Sequence, residues 1–395
     1  MYKFPTWPVY AEDEIIAATE VLRSGNVNYW TGSQCKIFEA EFADYVGTKF
    51  GLALANGTLA LELALRAAGI GAGDEVIVTP RTFIASVSAI VNIGATPIFA
   101  DIDLETQNIT ADTARKVVSA KTKAIICVHL AGWPCDMDPI LELSRPRGIV
   151  VIEDCAQAHG ALYKGRSVGG LGDIGCWSFC QDKIMSTGGE GGMVTTNSEK
   201  YWKWMWSYKD HGKNFDKMTT PNTSSSFRWV HDEFGSNYRM TEFQAAIGRS
   251  QLRKLEAWQK RRSLHAEKIW NLAEGLKFLR PPERTKCSQS CRLSACGCRH
   301  ACYKAYVFVD GDVETRDLFI NEITARGVPC FTGVCGEVYE EKAFIGHQFK
   351  PNKKFPNAAQ LSRQSVMFLC HPTLSDEDLN RMCAVIVEAH NVVFN

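Results

Sequence analysis

FGLALANGTLALELALRAAGIGAGDEVIVTPRTFIASVSAIVNIGATPIFADI, residues 50–102, alternates strand-like and helical patterns in short order. FGLALA (50–55), EVIVTP (75–80) and PIFADI (97–102) are brief apolar runs rich in residues that suit strands. TLALELALRAAG (58–69) and SVSAIVNIG (86–94) between them carry a helical pattern. The alternation continues through AIICVHL (124–130), a helical stretch over 136–146 and GIVVIEDC (148–155). GCWSFC (175–180) and GGMVTT (191–196) then follow with no long helix between them, which leaves room for an antiparallel pair. Strands interleaved with helices predict an α/β fold, a mostly parallel, mixed sheet covered on both faces. Such sheets bind ligands beyond the carboxyl ends of their strands, so the residues just after each strand carry the functional information.

Outward from this block, TEFQAAIGRSQLRKLEAWQKRRSLHAEKIWNLAEGL predicts a long amphipathic helix within about 241–280, with Leu252, Leu255, Trp258 and Ile269 at near-helical spacing. It reads as the passage from a large domain, residues 1–250, into a smaller C-terminal α+β domain, residues 251–395. A strand at AYVFVD (305–310), a helix over about 313–326 and a closing helix opened by a Ser375–Asp378 capping box furnish the small domain. Two domains sharing one site suit a chain of 395 residues.

Composition narrows the class. Hydrophobic residues make up 45% and charged residues 22%, and 44 basic residues balance 44 acidic ones. There is no basic run, which argues against nucleic-acid or membrane-surface binding. No signal-peptide pattern and no apolar run of ~20 residues is present, so a cytoplasmic protein is expected. An odd total of 15 cysteines argues against a disulfide framework. Five of them, Cys287, Cys291, Cys296, Cys298 and Cys302, cluster ahead of AYVFVD. They lack the paired Cys-x2-Cys spacing of ordinary zinc modules, and no metal is expected.

Three strand ends carry chemistry. Asn56-Gly57-Thr58 lies between a strand and a helix, where free N–H groups and the helix dipole favour a phosphate; the plain alternative is an N-cap supplied by Thr58. Glu153-Asp154 closes the GIVVIEDC run, with Gln157 three residues beyond Asp154. A carboxylate there could keep a pyridine nitrogen protonated, or it could simply cap a helix. Lys183 follows TrpSerPheCysGlnAsp (177–182) and precedes a turn containing Gly188, Gly189, Gly191 and Gly192. A lysine held in a closed pocket can bond a carbonyl, and the glycines would allow close backbone approach to a ligand.

A phosphate turn, a strand-end acid with glutamine at +3, and a strand-end lysine occur in that order in fold-type I pyridoxal-phosphate (PLP) enzymes. The chain resembles one family among them, the DegT/DnrJ/EryC1/StrS sugar aminotransferases, nearly end to end. ALANGTLALELAL, GDEVIVTPRTFIASVSAI, GATPIFADID, VIEDCAQAHGALYKGRSVGGLGDIGCWSF and SNYRMTEFQAAIG carry the likeness. The resemblance implies that Lys183 anchors PLP covalently, that Asp154 faces the pyridine nitrogen and that Gln157 bonds the phenolic oxygen. It also implies that Gly57, Thr58 and Ser178 hold the phosphate and that Phe83 stacks on the ring. Asn237 would reach the phosphate in a neighbouring subunit, which makes a homodimer with a shared site. The implied reaction moves an amino group from L-glutamate to a nucleotide-linked keto-sugar, for amino-sugar or surface-polysaccharide synthesis. Dehydratases of the same family replace the lysine with His, whereas Lys183 is kept here. A non-catalytic regulatory protein on this fold would not need Lys183, Asp154 and Gln157 together. His211 matches a recurring block near the site. Where relatives read Lys-x-x-Thr-Thr-Gly-Glu-Gly-Gly, an extra glycine here puts Glu190 seven residues after Lys183, and Cys180-Gln181-Asp182 replaces a His-Pro-Thr type of segment. Substrate contacts therefore do not carry over from the family.

Overall fold

A computed structural model describes residues 2–220, 228–285 and 296–394. The strands in chain order are β1 (Phe50–Leu54), β2 (Glu75–Val78), β3 (Thr96–Phe99), β4 (Thr122–Val128) and β5 (Val150–Asp154), then the small hairpin β6 (Leu162–Tyr163) and β7 (Arg166–Ser167), then β8 (Ile174–Ser178) and β9 (Gly192–Thr196). Seven of these form one sheet in the order β1-β9-β8-β5-β4-β2-β3. The pairs β8–β5, β5–β4, β4–β2 and β2–β3 are parallel. β9 runs antiparallel between β1 and β8, the element expected from the short gap between GCWSFC and GGMVTT. The interior strands are buried on both faces, as their unbroken Val/Ile character requires of a sheet covered by helices on each side.

A second sheet in the order β10-β11-β13-β12 is built from β10 (Leu279–Arg280), β11 (Ala305–Val309), β12 (Cys330–Phe331) and β13 (Ser365–Phe368), all antiparallel. The sequence announces only β11 among these. The helix Glu242–Glu274 joins the two sheets: Ala245 and Leu255 enter the core under the large sheet, and Ala266, Ile269, Trp270 and Ala273 enter the core under the small one. The expected division at residue 250 thus falls inside one continuous helix. The closing helix Asp376–Phe394 starts with the reciprocal Ser375–Asp378 cap, Asp378 N–H donating to Ser375 Oγ and Ser375 N–H to Asp378 Oδ2. Among the described residues no helix is long and apolar enough to cross a membrane.

The aromatic run 201–208 lies on the helix Glu199–Tyr208 and packs inward: Trp202 stacks on Phe50, and Trp206 meets Trp30 and Phe215 edge-on. Of the cysteine cluster, Cys287 and Cys291 lie outside the described residues. Cys296 and Cys302 are buried, and Cys298 Sγ accepts from the Lys164 N–H at 3.4 Å.

Candidate active site

The carboxyl ends of β1, β2, β5 and β8 open on one cavity of about 890 Å³. It gathers Gly57, Thr58, Phe83, Asp154, Gln157, Ser178 and Lys183 from the large sheet, and Tyr303, Lys304, Tyr306 and Phe331 from the region of the small one. Every expected site residue except Asn237 lines it.

Asn56 follows β1 and caps the helix Gly57–Ala67, its Oδ1 accepting from the Leu59 N–H at 2.9 Å. Asn56 therefore supplies the cap that Thr58 might have made. The Gly57 and Thr58 N–H groups and the Thr58 hydroxyl form no hydrogen bond among the described residues. Ser178, at the end of β8, presses against this turn so closely that a Cβ on Gly57 would lie 2.6 Å from Ser178 Cβ. Uncommitted donors at a helix N-terminus, with no side chain able to fill the concavity, form a cradle for an anion.

Successive residues of a strand face opposite sides, and this separates the two acids that close β5. Glu153 points into the protein, where its oxygens accept from His129 Nε2 (3.0 Å) and from the N–H groups of Gly169 (2.8 Å), Leu171 (2.8 Å) and Gly172 (2.7 Å). Burial alone would raise its carboxyl, but His129 and these donors hold it below the usual value. Asp154 points into the cavity. Ser86 Oγ donates to its Oδ2 at 2.8 Å, Thr82 Oγ1 lies 2.9 Å behind Ser86 Oγ, and the Ala156 N–H reaches Oδ1 at 3.2 Å. Burial pushes the Asp154 carboxyl up despite these donors and nearby Lys183, so a cation placed against it would be stabilised.

Lys183 Nζ lies 3.6 Å from Asp182 Oδ1 and 5.2 Å from the centre of the Tyr303 ring. The Tyr303 hydroxyl donates to Asp182 Oδ2. The backbone under Lys183 is held by Trp7, whose indole N–H donates to the Lys183 carbonyl at 2.7 Å. Gln157 Oε1 accepts from the Ala131 N–H at 2.7 Å, which leaves its amide NH2 available to donate. Phe83 lines the cavity with 63% of its surface exposed, an apolar ring kept uncovered where a flat ligand could stack.

Sequence reading missed Thr82, Ser86, Tyr303 and Trp7. Ser86 sits one helical turn past Phe83 with nothing local to mark it, and Tyr303 and Trp7 reach Lys183 from 120 and 176 residues away in the chain. Asn237 is exposed and bridges Asp210 rather than the cavity of its own chain. His211 is also exposed, with a φ of 60°, and its carbonyl accepts from His231 Nδ1. In the long turn, Gly188 and Gly189 adopt φ of 87° and 123°, a path that favours glycine. Gly192 serves a different close approach, to the Asn56 carbonyl, where a Cβ would sit 2.3 Å from the oxygen.

The donor set fits PLP: a cradle for a phosphate, a buried carboxylate for a ring nitrogen, an uncovered aromatic face, and an amine. When bound, PLP supplies an electron sink that stabilises negative charge developing on a substrate carbon. The architecture is that of the fold-type I PLP enzymes, in agreement with a solved aminotransferase from Psychrobacter cryohalolentis that superposes with a TM-score of 0.95 at 49% identity over 100% of both chains. The model of the DegT/DnrJ/EryC1/StrS aminotransferase family matches residues 8–387. The chain belongs to that family, and it is a PLP-dependent sugar aminotransferase. A UDP-N-acetyl-3-dehydro-alpha-D-glucosamine 3-aminotransferase of Acidithiobacillus ferrooxidans is 34% identical over 361 residues, 91% of this chain and 90% of that one. A GDP-perosamine synthase of Escherichia coli O157:H7 is 45% identical over 225 residues, 57% of this chain and 59% of that one.

Proposed function

We propose that this protein transfers an amino group from L-glutamate to a nucleotide-linked keto-sugar, in the synthesis of an amino sugar for a surface polysaccharide. The observation that carries the reading is the convergence of Lys183, Asp154 and the Gly57–Thr58 cradle on one cavity of about 890 Å³. The nucleotide-sugar names of relatives matched over most or half of the chain support the acceptor class.

In this reading Gly57, Thr58 and Ser178 bind the phosphate, Phe83 covers one face of the ring, and Gln157 donates to the phenolic oxygen. Asp154 holds the proton on the ring nitrogen, and Ser86 orients Asp154. Lys183 anchors the cofactor at rest. With its amine free, Lys183 Nζ would take the proton from the donor's α-carbon and hand it on within the same half-reaction, and it would carry a proton the opposite way in the second half. Tyr303 and Asp182 hold Nζ on the cavity side of the turn. The small-sheet residues Tyr306, Phe331 and Met367 complete the cavity lining. Asn237, exposed and absent from the lining of its own cavity, would serve the phosphate in a second subunit, and the working unit would be a homodimer.

The test is a glutamate-dependent assay with the purified protein and a panel of UDP- and GDP-linked 3-keto and 4-keto sugars. An amino sugar formed together with an equal amount of 2-oxoglutarate is the expected result. Failure to form 2-oxoglutarate from glutamate, even in a single turnover of PLP-loaded protein, would overturn glutamate as donor.

A further inference from the structure

Lys304 lines the active-site cavity immediately before β11 and carries a cation that the protein itself does not neutralise. Other lysines withdrawn from solvent are matched: Lys209 lies 2.8 Å from Glu39, and Lys213 lies 3.1 Å from Asp210. Among the described residues Lys304 Nζ has no ion pair or hydrogen bond, and its one close partner is the Tyr303 ring, 4.9 Å away. Asp182 is the nearby acid, but both of its oxygens are committed, one to Lys183 at 3.6 Å and the other to the Tyr303 hydroxyl. Arg262, fully buried and bonded to the carbonyls of Cys302 and Tyr303 and to the Cys370 side chain, adds positive potential with no ion-paired acid of its own among the described residues. Burial first, then Arg262 and Lys183, disfavour the charged form of Lys304 and outweigh the opposing pull of Cys370 and Asp182. An ammonium in such a setting gains from an anion supplied by a ligand.

We propose that Lys304 is the carboxylate-binding residue for the amino donor. The claim rests on the aminotransferase reading above and adds to it the residue that recognises the donor as an acid. Position selects the donor over the sugar nucleotide. Lys183 Nζ and Lys304 Nζ lie 5.2 and 4.9 Å from the centre of the same Tyr303 ring, and both line the cavity, so Lys304 serves its reacting end. An amino acid's α-carboxylate is bonded directly to the carbon whose proton Lys183 takes, so it must bind beside that lysine. The diphosphate of a nucleotide-sugar is separated from its keto carbon by part of the sugar ring. The cofactor phosphate has its own cradle at Gly57 and Ser178.

The experiment uses PLP-loaded wild-type, Lys304→Met and Lys304→Arg proteins, with glutarate as a dicarboxylate that cannot react. Affinity for glutarate and for UDP and GDP is read by calorimetry, alongside the single-turnover KM for L-glutamate. Loss of one charge-assisted bond weakens glutarate binding and raises the glutamate KM by about ten- to a hundredfold in Lys304→Met. Lys304→Arg restores most of the affinity, and nucleotide binding, PLP content and the thermal midpoint stay at wild-type levels. Unchanged glutarate affinity in a folded, PLP-loaded Lys304→Met protein would overturn the assignment. So would a loss of nucleotide affinity that matched or exceeded the loss for glutarate. A wild-type protein that binds glutarate but makes no 2-oxoglutarate from glutamate contradicts glutamate as donor, and leaves the carboxylate site standing.

Discussion

Ser86 Oγ donates to Asp154 Oδ2 across 2.8 Å, and through that bond a helix that follows β2 orients the acid that ends β5. The hydroxyl is one of the influences that restrain the rise of the Asp154 carboxyl against burial. Ser86→Ala removes a donor to a buried carboxylate, so kcat/KM is expected to fall by about tenfold, with weaker PLP binding. Asp154→Asn should cost far more, because the amide cannot stabilise a protonated ring nitrogen. Equal losses in the two variants would mean that the Ser86 bond, and not the charge of Asp154, is what matters.

Gly57 and Ser178 are packed so tightly that a side chain at one excludes the other. Gly57→Ala is expected to lower stability by ~1–3 kcal/mol through overpacking and to weaken PLP binding, since the new methyl enters the phosphate cradle. Removing the Ser178 side chain in a Gly57→Ala/Ser178→Gly protein should recover stability but not PLP affinity. Equilibrium unfolding and PLP titration of both variants check the split, and full recovery of affinity would count against a cradle at this turn.

Glu153 shares its strand end with Asp154 but has a structural task. Its carboxylate, held below the ordinary value near 4.5, favours folding at all pH above that value. The contribution is lost as pH falls from about 4.5 through the lower folded-state value. Glu153→Gln sets an NH2 against N–H donors and should cost about 3–5 kcal/mol at pH 7, with a correspondingly flatter acid limb below pH 4.5. An unaltered acid limb in this variant would remove Glu153 from the account.

A second, milder pH dependence comes from histidines. His159, His300 and His371 are pushed down to about 3, chiefly by burial. The unfolded chain takes up protons on them near 6.5 while the fold refuses them, so stability should begin to decline as pH falls below about 6.5. Urea midpoints at pH 7.5 and 5.5 test this directly. His159→Phe, which fills the space between Trp177 and Phe179 with a ring that cannot titrate, should reduce the decline.

The large sheet was legible because each of its strands is an apolar run bounded by turn residues, and because the short step from Ser178 to Gly192 admits an antiparallel pair. The cavity lining was legible where it follows strand ends, as with Asp154 and Lys183. The small sheet was largely hidden: β10 and β12 are two residues long, and β13 gains its identity from pairing with β11, not from any local period. Residues that shape the site through distant contacts, such as Tyr303 beside Lys183 and Trp7 beneath it, leave no local signal, because the contact exists only once the chain has folded. Lys304 was passed over for a related reason. On the sequence it is one lysine among many, and only its enclosure without an acid sets it apart.

The central claim is that Lys183 anchors the cofactor. The direct measurement is borohydride reduction of the PLP-loaded protein followed by peptide mass analysis. A phosphopyridoxyl adduct on the peptide bearing Lys183, together with loss of the adduct and of the yellow colour in Lys183→Ala, is the predicted result. An adduct on Lys304 or another lysine in the wild-type protein, or none after PLP incubation, would contradict it.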